Sequence, residues 1–583
     1  MLFTPRLSGL CLGLLGLCAS ATLPAAQPEL RITQLQRCGD LLAEGPSSWC
    51  LQASGPLDED VRVLLAGQPL RADQLERDGA RLRLTLPAGQ ASAPLWLERE
   101  GRRSNPVWLS RGRSQVLAAS AKDVAENMDG LTTYVDLASL IIEEDQDGLA
   151  TAQRLAEKYG AKVVGAIAPL NTYQLRLPVT NLTERDAMLL RLGSEVGVDA
   201  VVIEESGAES GEAEPGRARR QNPEWAANRF LDAVDFYRRH LPPRATPGEG
   251  EPIRIGVIER NVDFDAPGFA GYLQPCDPTA GRTCLYARDA RQPDGHGSSV
   301  AGILAARGEA HDSGFLSALD ETGPGFEVIV ERNSDAGITA NIAASVNLVQ
   351  DGARILNWSW GIHRIGTLNV EGEPVDSLLR SGIAMSGYEE LLEEFFLWLR
   401  REHPDVVVIN SAGNGSARSG HDDYRLPSSF ITEQLLVVGG HQLSEQRGLP
   451  VEDPRSVEKR QSSNVDMRVD ITAAACIRAA TYDGEPGEVH CGTSYATPLV
   501  AGAVAAMLSI NPRLQPEQLR ELLRRSAMTI GADFEAAEAD DLTAPILPSE
   551  RNYQLDNRDV GRSARLDMRK ALELAADSLR HRR

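Results

Sequence analysis

Residues 490–508 read HCGTSYATPLVAGAVAAML, and the reading of the fold turns on this stretch. Gly492-Thr493 is a turn pair, and the small apolar residues after Tyr495 predict a helix buried on every side. Pro498 stands early enough for its missing N–H to be tolerated. Ser494 therefore lies at the positive end of that helix. A serine in such a place is ordinarily an N-cap, and only its company elsewhere in the chain argues for more. The overlapping run TPLVAGAVAAMLSI (497–510) falls short of the roughly 18 apolar residues of a membrane helix and reads as a core helix.

Three further stretches have the same style. DGHGSSVAGILAA (294–306) sets His296 between two glycines ahead of a small-residue helix. VVVINSAGNGS (406–416) runs a buried strand into Ala412-Gly413-Asn414-Gly415, and RILNWSWG (354–361) is a strand ending in Ser359, Trp360 and Gly361. Upstream, IRIGVIERNVDFDAP (253–267) is a parallel-type strand that stops on Glu259. In an open α/β sheet the carboxyl ends of strands are where ligands and chemistry sit. Taken singly, a Gly-flanked histidine is a loop residue and an Asn after Gly a turn residue. Four such motifs on one strand–helix domain are more than that.

GTSYATP, DGHGSSVAG, SAGNG and the 253–267 strand together resemble the subtilisin-like serine proteases, the subtilases, over residues 223–578. The resemblance implies an α/β catalytic domain with a parallel sheet flanked by helices. It makes Ser494 the nucleophile, His296 the general base, and the Asn414 side chain with the Ser494 N–H the oxyanion hole. Ser359, Trp360 and Gly361 would pair with an extended substrate as an added strand, Trp360 walling a side-chain subsite. The family's third catalytic residue is an Asp followed by Ser or Thr and Gly. Here the tripeptide is Glu259-Arg260-Asn261. Glu keeps charge and acceptor atoms on an arm one methylene longer, and Ser-His-Glu arrangements work on other folds. Asn261 is expected to replace Gly because Asn tolerates the left-handed backbone. Asp263 and Asp265 read as turn acids. A different class of function suits the same residues, a catalytically weak or inactive subtilase-fold module for binding or assembly. A serine esterase is a third, distinguished by turnover of small esters rather than peptides. The resemblance also carries calcium, for which the sequence shows no ligand set.

Residues 27–115 alternate apolar and polar side chains, as in RLRLTLP (81–87), and predict a small β-sandwich resembling an immunoglobulin-like domain of the IPT/TIG type. Residues 136–206 have a βαββαβ rhythm, the ferredoxin-like order. In it LASLII (137–142) is the first strand, Gly160 stops the first helix, Thr183 caps the second, and VDAVVIEE (198–205) is the last strand. The acidic run EEDQDG (143–148) reads as acids at a helix N-terminus, since Arg154 stands where a calcium loop needs Glu. Before a subtilase domain, such a unit is similar to the family's inhibitory propeptide. Residues 207–222, rich in Gly, Glu and Arg, are then the linker and processing segment, with Arg217, Arg219 and Arg220 open to a trypsin-like enzyme.

The first 26 residues have Arg6, an apolar core and an Ala19-Ser20-Ala21 cleavage pattern, an export signal. Leu17 argues against acylation of Cys18. Six cysteines follow in near pairs, Cys38 with Cys50, Cys276 with Cys284 and Cys476 with Cys491, which an exported chain would oxidise to three disulfides. No C-x-x-C or H-E-x-x-H spacing supports a zinc site. A formal net charge of −22 over 583 residues opposes sequence-independent nucleic-acid binding. The expected partners are a protein or peptide substrate and the chain's own propeptide-like unit. No membrane span and no C-terminal anchor after residue 578 are read from the sequence, and export to the periplasm or the medium is expected.

Overall fold

The computed structural model describes residues 29–39, 47–87, 89–127, 130–206, 223–241, 251–290, 295–308, 313–331, 337–363, 382–415, 425–446, 448–460, 462–464, 469–478, 489–530 and 565–580. The export signal (1–26) and the processing segment (207–222) lie outside the described residues.

The largest unit is built on strands that alternate between two apolar faces. Its sheet runs in the order Thr283–Tyr286, Phe326–Val330, Ile253–Val257, Ile355–Trp358, Val407–Ser411 and Leu435–Leu443. The pairings along this path are parallel, and Val457–Lys459 then adds antiparallel to the last strand. Ile255, Val257, Ile355, Val407 and Ile409 face one core, shared with the helix Thr493–Ile510. Leu356, Trp358, Val406 and Val408 face the other, with the helices Gly337–Gln350 and Gly382–Glu402. Burial on both faces is why these strands read as continuous apolar runs rather than alternating ones. The helix Thr493–Ile510 is 94% buried over its apolar window, a core helix as its small residues require. From Ile253–Val257 the chain crosses to the sheet's outer half, and Ile355–Trp358 lies on the opposite side. The boundary between these two strands is therefore a topological switch point, where such sheets leave a crevice.

Residues 137–202 form a second, antiparallel sheet in the order Lys162–Ile167, Thr172–Arg176, Leu137–Ile142 and Val198–Val202, with the helices Gly148–Tyr159 and Leu182–Leu192 between strands. Asp147 caps the first helix through Ala150 N (3.0 Å), and Gly160 ends it at φ +69°. Two sequence expectations are corrected. Asn181, not Thr183, caps the second helix: its extended backbone lets the side chain accept from Glu184 N at 3.0 Å, while Glu184 reaches back to Thr180 N. The last strand breaks after Val202, and Glu205–Ser206 pairs instead with Thr132–Tyr134 in a small sheet begun by Val124–Glu126, upstream of the expected boundary at 136.

The N-terminal residues make two antiparallel sheets, one of Ile32–Cys38, Ser47–Ala53, Arg81–Leu86 and Leu75–Asp78, the other centred on Arg62–Leu65 and Ala93–Arg99. Leu82, Leu84 and Leu86 point into the core between them, as the alternation requires. This unit is tied to both others. Trp108 donates its indole N–H to Asp351 (2.9 Å), beneath the Arg254 guanidinium at 4.8 Å. Burial pushes the Asp351 carboxyl up in pKa despite the bonds from Ser110, Ser92 and Trp108. The Asn347 amide spans the Ser114 N–H and carbonyl (3.0 and 2.8 Å), and Gln115 pairs with Ala166 of the second sheet through two 2.8 Å bonds. Disulfides join Cys38–Cys50, Cys276–Cys284 and Cys476–Cys491, with Cα separations of 5.5, 5.7 and 4.1 Å.

Candidate active site

Glu259 lies two residues beyond the strand Ile253–Val257. Its N–H closes on Val257 O at 3.0 Å, so the chain turns out of the sheet as soon as the strand ends. His296 is the first residue of the helix His296–Ala305, behind Gly295. The two side chains meet: Glu259 Oε1 lies 3.0 Å from His296 Nδ1, with the carboxylate 13% exposed and the imidazole 37% exposed. Their elements approach closely because Gly297 has no side chain; a Cβ there would stand 2.4 Å from the carbonyl oxygen of Asn261. Asn261 itself does not use the left-handed backbone expected of it, since it is not among the residues with positive φ. The turn that follows is held by its acids: Asp263 Oδ1 accepts from Asp265 N (2.9 Å), and Asp265 pairs with Arg31 (3.0 Å).

Ser494 lies in the first turn of Thr493–Ile510, and the N-cap of that helix is Gly492, which has no side chain to offer. The hydroxyl of Ser494 is therefore not a cap. It donates to Ser359 O at 3.3 Å, while Ser359 Oγ donates to Ser494 O at 2.8 Å, which joins the helix start to the end of Ile355–Trp358. The His296 ring lies 5.6 Å from the ring of Tyr495, beside the serine. The strand pair Cys476–Arg478 and Val489–Cys491, closed by a disulfide, delivers the chain to Gly492.

Asn414 Oδ1 accepts from Thr493 N (2.9 Å) and Thr493 Oγ1 (3.2 Å). This fixes the amide so that Nδ2, the donating end, lies beside Gly492, 3.2 Å from where a Cβ would stand there. Thr493 also receives Gly413 N on its hydroxyl at 3.1 Å. The strand end at 358–361 is held from beneath by a fully buried amide: Asn410 Nδ2 donates to both Trp358 O and Trp360 O at 2.8 Å. Trp360 packs on Trp358 with ring centroids 4.9 Å apart. Asn464 does the same service for Ala412 O (2.8 Å). Thr493, Asn410 and Asn464 escaped the sequence reading. For Asn410 one signal was present, a lone amide in the apolar run VVVINS, where a buried polar group must have partners.

The sequence-predicted residues thus follow the ends of the strands Ile253–Val257, Ile355–Trp358 and Val407–Ser411 or open the helices His296–Ala305 and Thr493–Ile510, and the contacts join Glu259 to His296, Ser494 to Ser359 and Asn414 to Thr493. His441, by contrast, is wholly buried and bonded to Thr472 Oγ1 at 3.1 Å, and burial lowers its pKa well below that of a free histidine. Among the described residues, one group of acids has ligand atoms within 4.8 Å of one another, Asp199, Glu390 and Glu394. These lie where the strand Val198–Val202 meets the helix Gly382–Glu402, and three carboxylates fall short of the roughly six to eight oxygens calcium takes. They do not fit a calcium cage.

The parallel sheet flanked by helices on both faces, with a histidine and a carboxylate paired beyond one strand end, is an α/β fold of the kind the sequence predicts. The sequence profile of the subtilase family matches residues 250–561, over half the chain, and the chain belongs to that family. It is 25% identical over 415 residues to a "probable subtilase-type serine protease" of Deinococcus radiodurans, covering 65% of this chain and 50% of that one. With subtilisin DY of Bacillus licheniformis it shares 23% identity over 292 residues, 49% of this chain and 87% of that one. The chain thus spans about half the length of the first relative. Among solved structures, the epidermin leader peptide processing serine protease of Staphylococcus aureus aligns with 17% identity and a TM-score of 0.46, over 75% of this chain and 99% of that one.

Proposed function

We propose that this chain is an exported serine endopeptidase whose triad is Ser494, His296 and Glu259. The observation that supports it most is the 3.0 Å contact between Glu259 Oε1 and His296 Nδ1, with the His296 ring 5.6 Å from that of Tyr495, the neighbour of Ser494 on a helix that the serine does not cap. His296 takes the Ser494 hydroxyl proton on Nε2 as Oγ attacks the substrate carbonyl carbon. The new oxyanion accepts from Asn414 Nδ2 and the Ser494 N–H. Glu259 holds the Nδ1–H and stabilises the imidazolium without taking the proton. His296 then protonates the leaving amine, and water repeats the sequence on the acyl-enzyme. Ser359 to Gly361 offer backbone groups to an extended peptide.

Residues 136–206 serve, in this reading, as a ferredoxin-like propeptide that folds against the enzyme and blocks it until 207–222 is cut. Two contacts support this. Glu205 N donates to the Tyr388 hydroxyl at 3.1 Å, and Thr339, in the first turn of Gly337–Gln350, donates its hydroxyl to the Glu204 carboxylate. A carboxylate is favoured at that helix end. The N-terminal sandwich, bonded to both other units, is the scaffold that holds them together. The decisive experiment follows the intact mass of the signal-less protein with time, beside Ser494→Ala. A cut between Ser206 and Pro223 in the wild type alone is the expected result. A cut in neither, with no peptide turnover after trypsin opens the segment, would move the chain to a binding module.

A further inference from the structure

The peptidase reading places the carbonyl under attack between Asn414 and Ser494. The side chain of the residue that carries this carbonyl must then enter the gap between 359–361 and 411–414. Both walls of the gap are glycine, Gly361 and Gly413, the latter at φ +98°. In this chain another side chain already occupies it. A Cβ on Gly361 would lie 2.0 Å from Arg425 Cζ, and one on Gly413 would lie 2.5 Å from Arg425 Cδ and 2.9 Å from Nε. The Arg425 side chain therefore lies flat between the two bare backbones, and the residue is 0% exposed.

We infer that Arg425 fills the side-chain slot of the substrate residue on the acyl side of the scissile bond, so that this site accepts only small residues there, glycine, alanine or serine. The inference rests on the peptidase reading of Ser494, His296 and Asn414. Arg425 is held in place along its length. Its backbone pairs antiparallel with His363 in the short sheet of Ile362–His363 and Arg425–Leu426. Its Nη1 donates to Ser411 O at 2.5 Å and to Asn410 Oδ1 at 3.4 Å, and its Nη2 donates to Ser411 Oγ at 3.1 Å. A large substrate side chain would have to break these buried, charge-assisted bonds or spread walls that Asn410 and Asn464 hold. A hydrogen or methyl asks for neither. Arg425 is thus a specificity-determining residue, and the missing side chains of Gly361 and Gly413 leave room for it.

The test uses the full-length chain opened with trypsin between Arg217 and Arg220, and peptides that differ only in the residue before the cut: Gly, Ala, Ser, Leu, Phe and Glu. The wild type should favour Gly, Ala and Ser over Leu and Phe by about 10–200-fold in kcat/KM, the range one side-chain pocket can give. Arg425→Gly should erase that preference by raising turnover of the Leu and Phe peptides. Arg425→Met, of similar length and uncharged, should keep it. Melting temperatures show whether each variant folds, and the wild-type pattern stands as a test even where one does not. Preference of the wild type for Leu or Phe would overturn the inference, as would preference for Glu, which would mean that the guanidinium reads a substrate carboxylate. Labelling of Ser494 by a fluorophosphonate separates these results from failure of the peptidase reading. Label with the wrong preference sinks the slot alone, whereas no label and no cleavage sinks both.

Discussion

At the end of the site where the proposed nucleophile lies, groups are placed through the backbone. Ser494 is placed by a helix start, Asn414 by the Thr493 N–H, and Ser359 by a strand that Asn410 pins at two carbonyls. At the acid end, a single side chain spans from a strand terminus to an imidazole, and the carboxylate still lies 3.0 Å from Nδ1 although its arm is one methylene longer than an Asp. A group delivered by a flexible arm can change length and keep its contact. A group delivered by backbone cannot, because the helix, strand and loop would all have to move. In the proposed reading, the chain departs from the family's pattern at the acid end and keeps GTSYATP and SAGNG at the other.

That contrast sets a scale of expected effects. Ser494→Ala should lower kcat by about 10⁶-fold in peptide hydrolysis, the loss known when a triad serine is removed; residual activity near wild type would break the assignment of the nucleophile. Asn414→Ala should cost about 10²–10³ in kcat with little change in KM, because the oxyanion exists only after attack. An equal fall in affinity for substrate would show instead that Asn414 is a binding group. Glu259→Asp, read by kcat/KM, should change activity by less than about tenfold in either direction, since charge and acceptor survive and only reach is altered. A loss as large as that of Asn414→Ala would mean that the acid end is as rigid as the nucleophile end.

The mildest effect belongs to the junction between the propeptide-like unit and the catalytic body. Glu390 on the helix Gly382–Glu402 is pushed up in pKa to about 7 from 4.5, by burial first and then by Asp199 on the facing strand, with Glu393 and Glu394 adding to it. Glu144 and its partner Arg401 flank the same patch. An acid whose pKa is raised on docking binds its proton more tightly when docked. Docking is therefore favoured below pH 4.5 and loses that contribution as pH rises through about 7. Release of the cut N-terminal fragment from Ser494→Ala protein, followed by size exclusion, should be faster at pH 8 than at pH 5. Equal rates would show that the carboxylates are relieved by solvent.

The parts of this molecule that local pattern governs were legible in the sequence. Alternating Leu82, Leu84 and Leu86, the Gly160 stop and the small-residue helix after Ser494 each follow from period, turn chemistry or volume over a few residues. What escaped depends on the exact backbone conformation or on partners far away in the chain. The cap at Asn181 rather than Thr183 was a choice between two adequate residues, settled by a backbone angle. Glu204 breaks the last strand of its sheet because Thr339 and the helix behind it take its carboxylate, 135 positions away in the chain. Asn410, Asn464 and Arg425 are buried polar residues whose purpose appears only once the strands they support are side by side. The departure at Glu259 was visible as a departure, but only the 3.0 Å contact with His296 says what the longer arm does.

The central claim, that Glu259 is the acid of the triad, is tested most directly by kcat/KM of Glu259→Gln against wild type on one peptide at neutral pH. The account predicts a loss of about 10⁴-fold, because the amide removes the charge and can offer an N–H where Nδ1 needs an acceptor. Equal rates for the two proteins would contradict it and leave the carboxylate a structural contact.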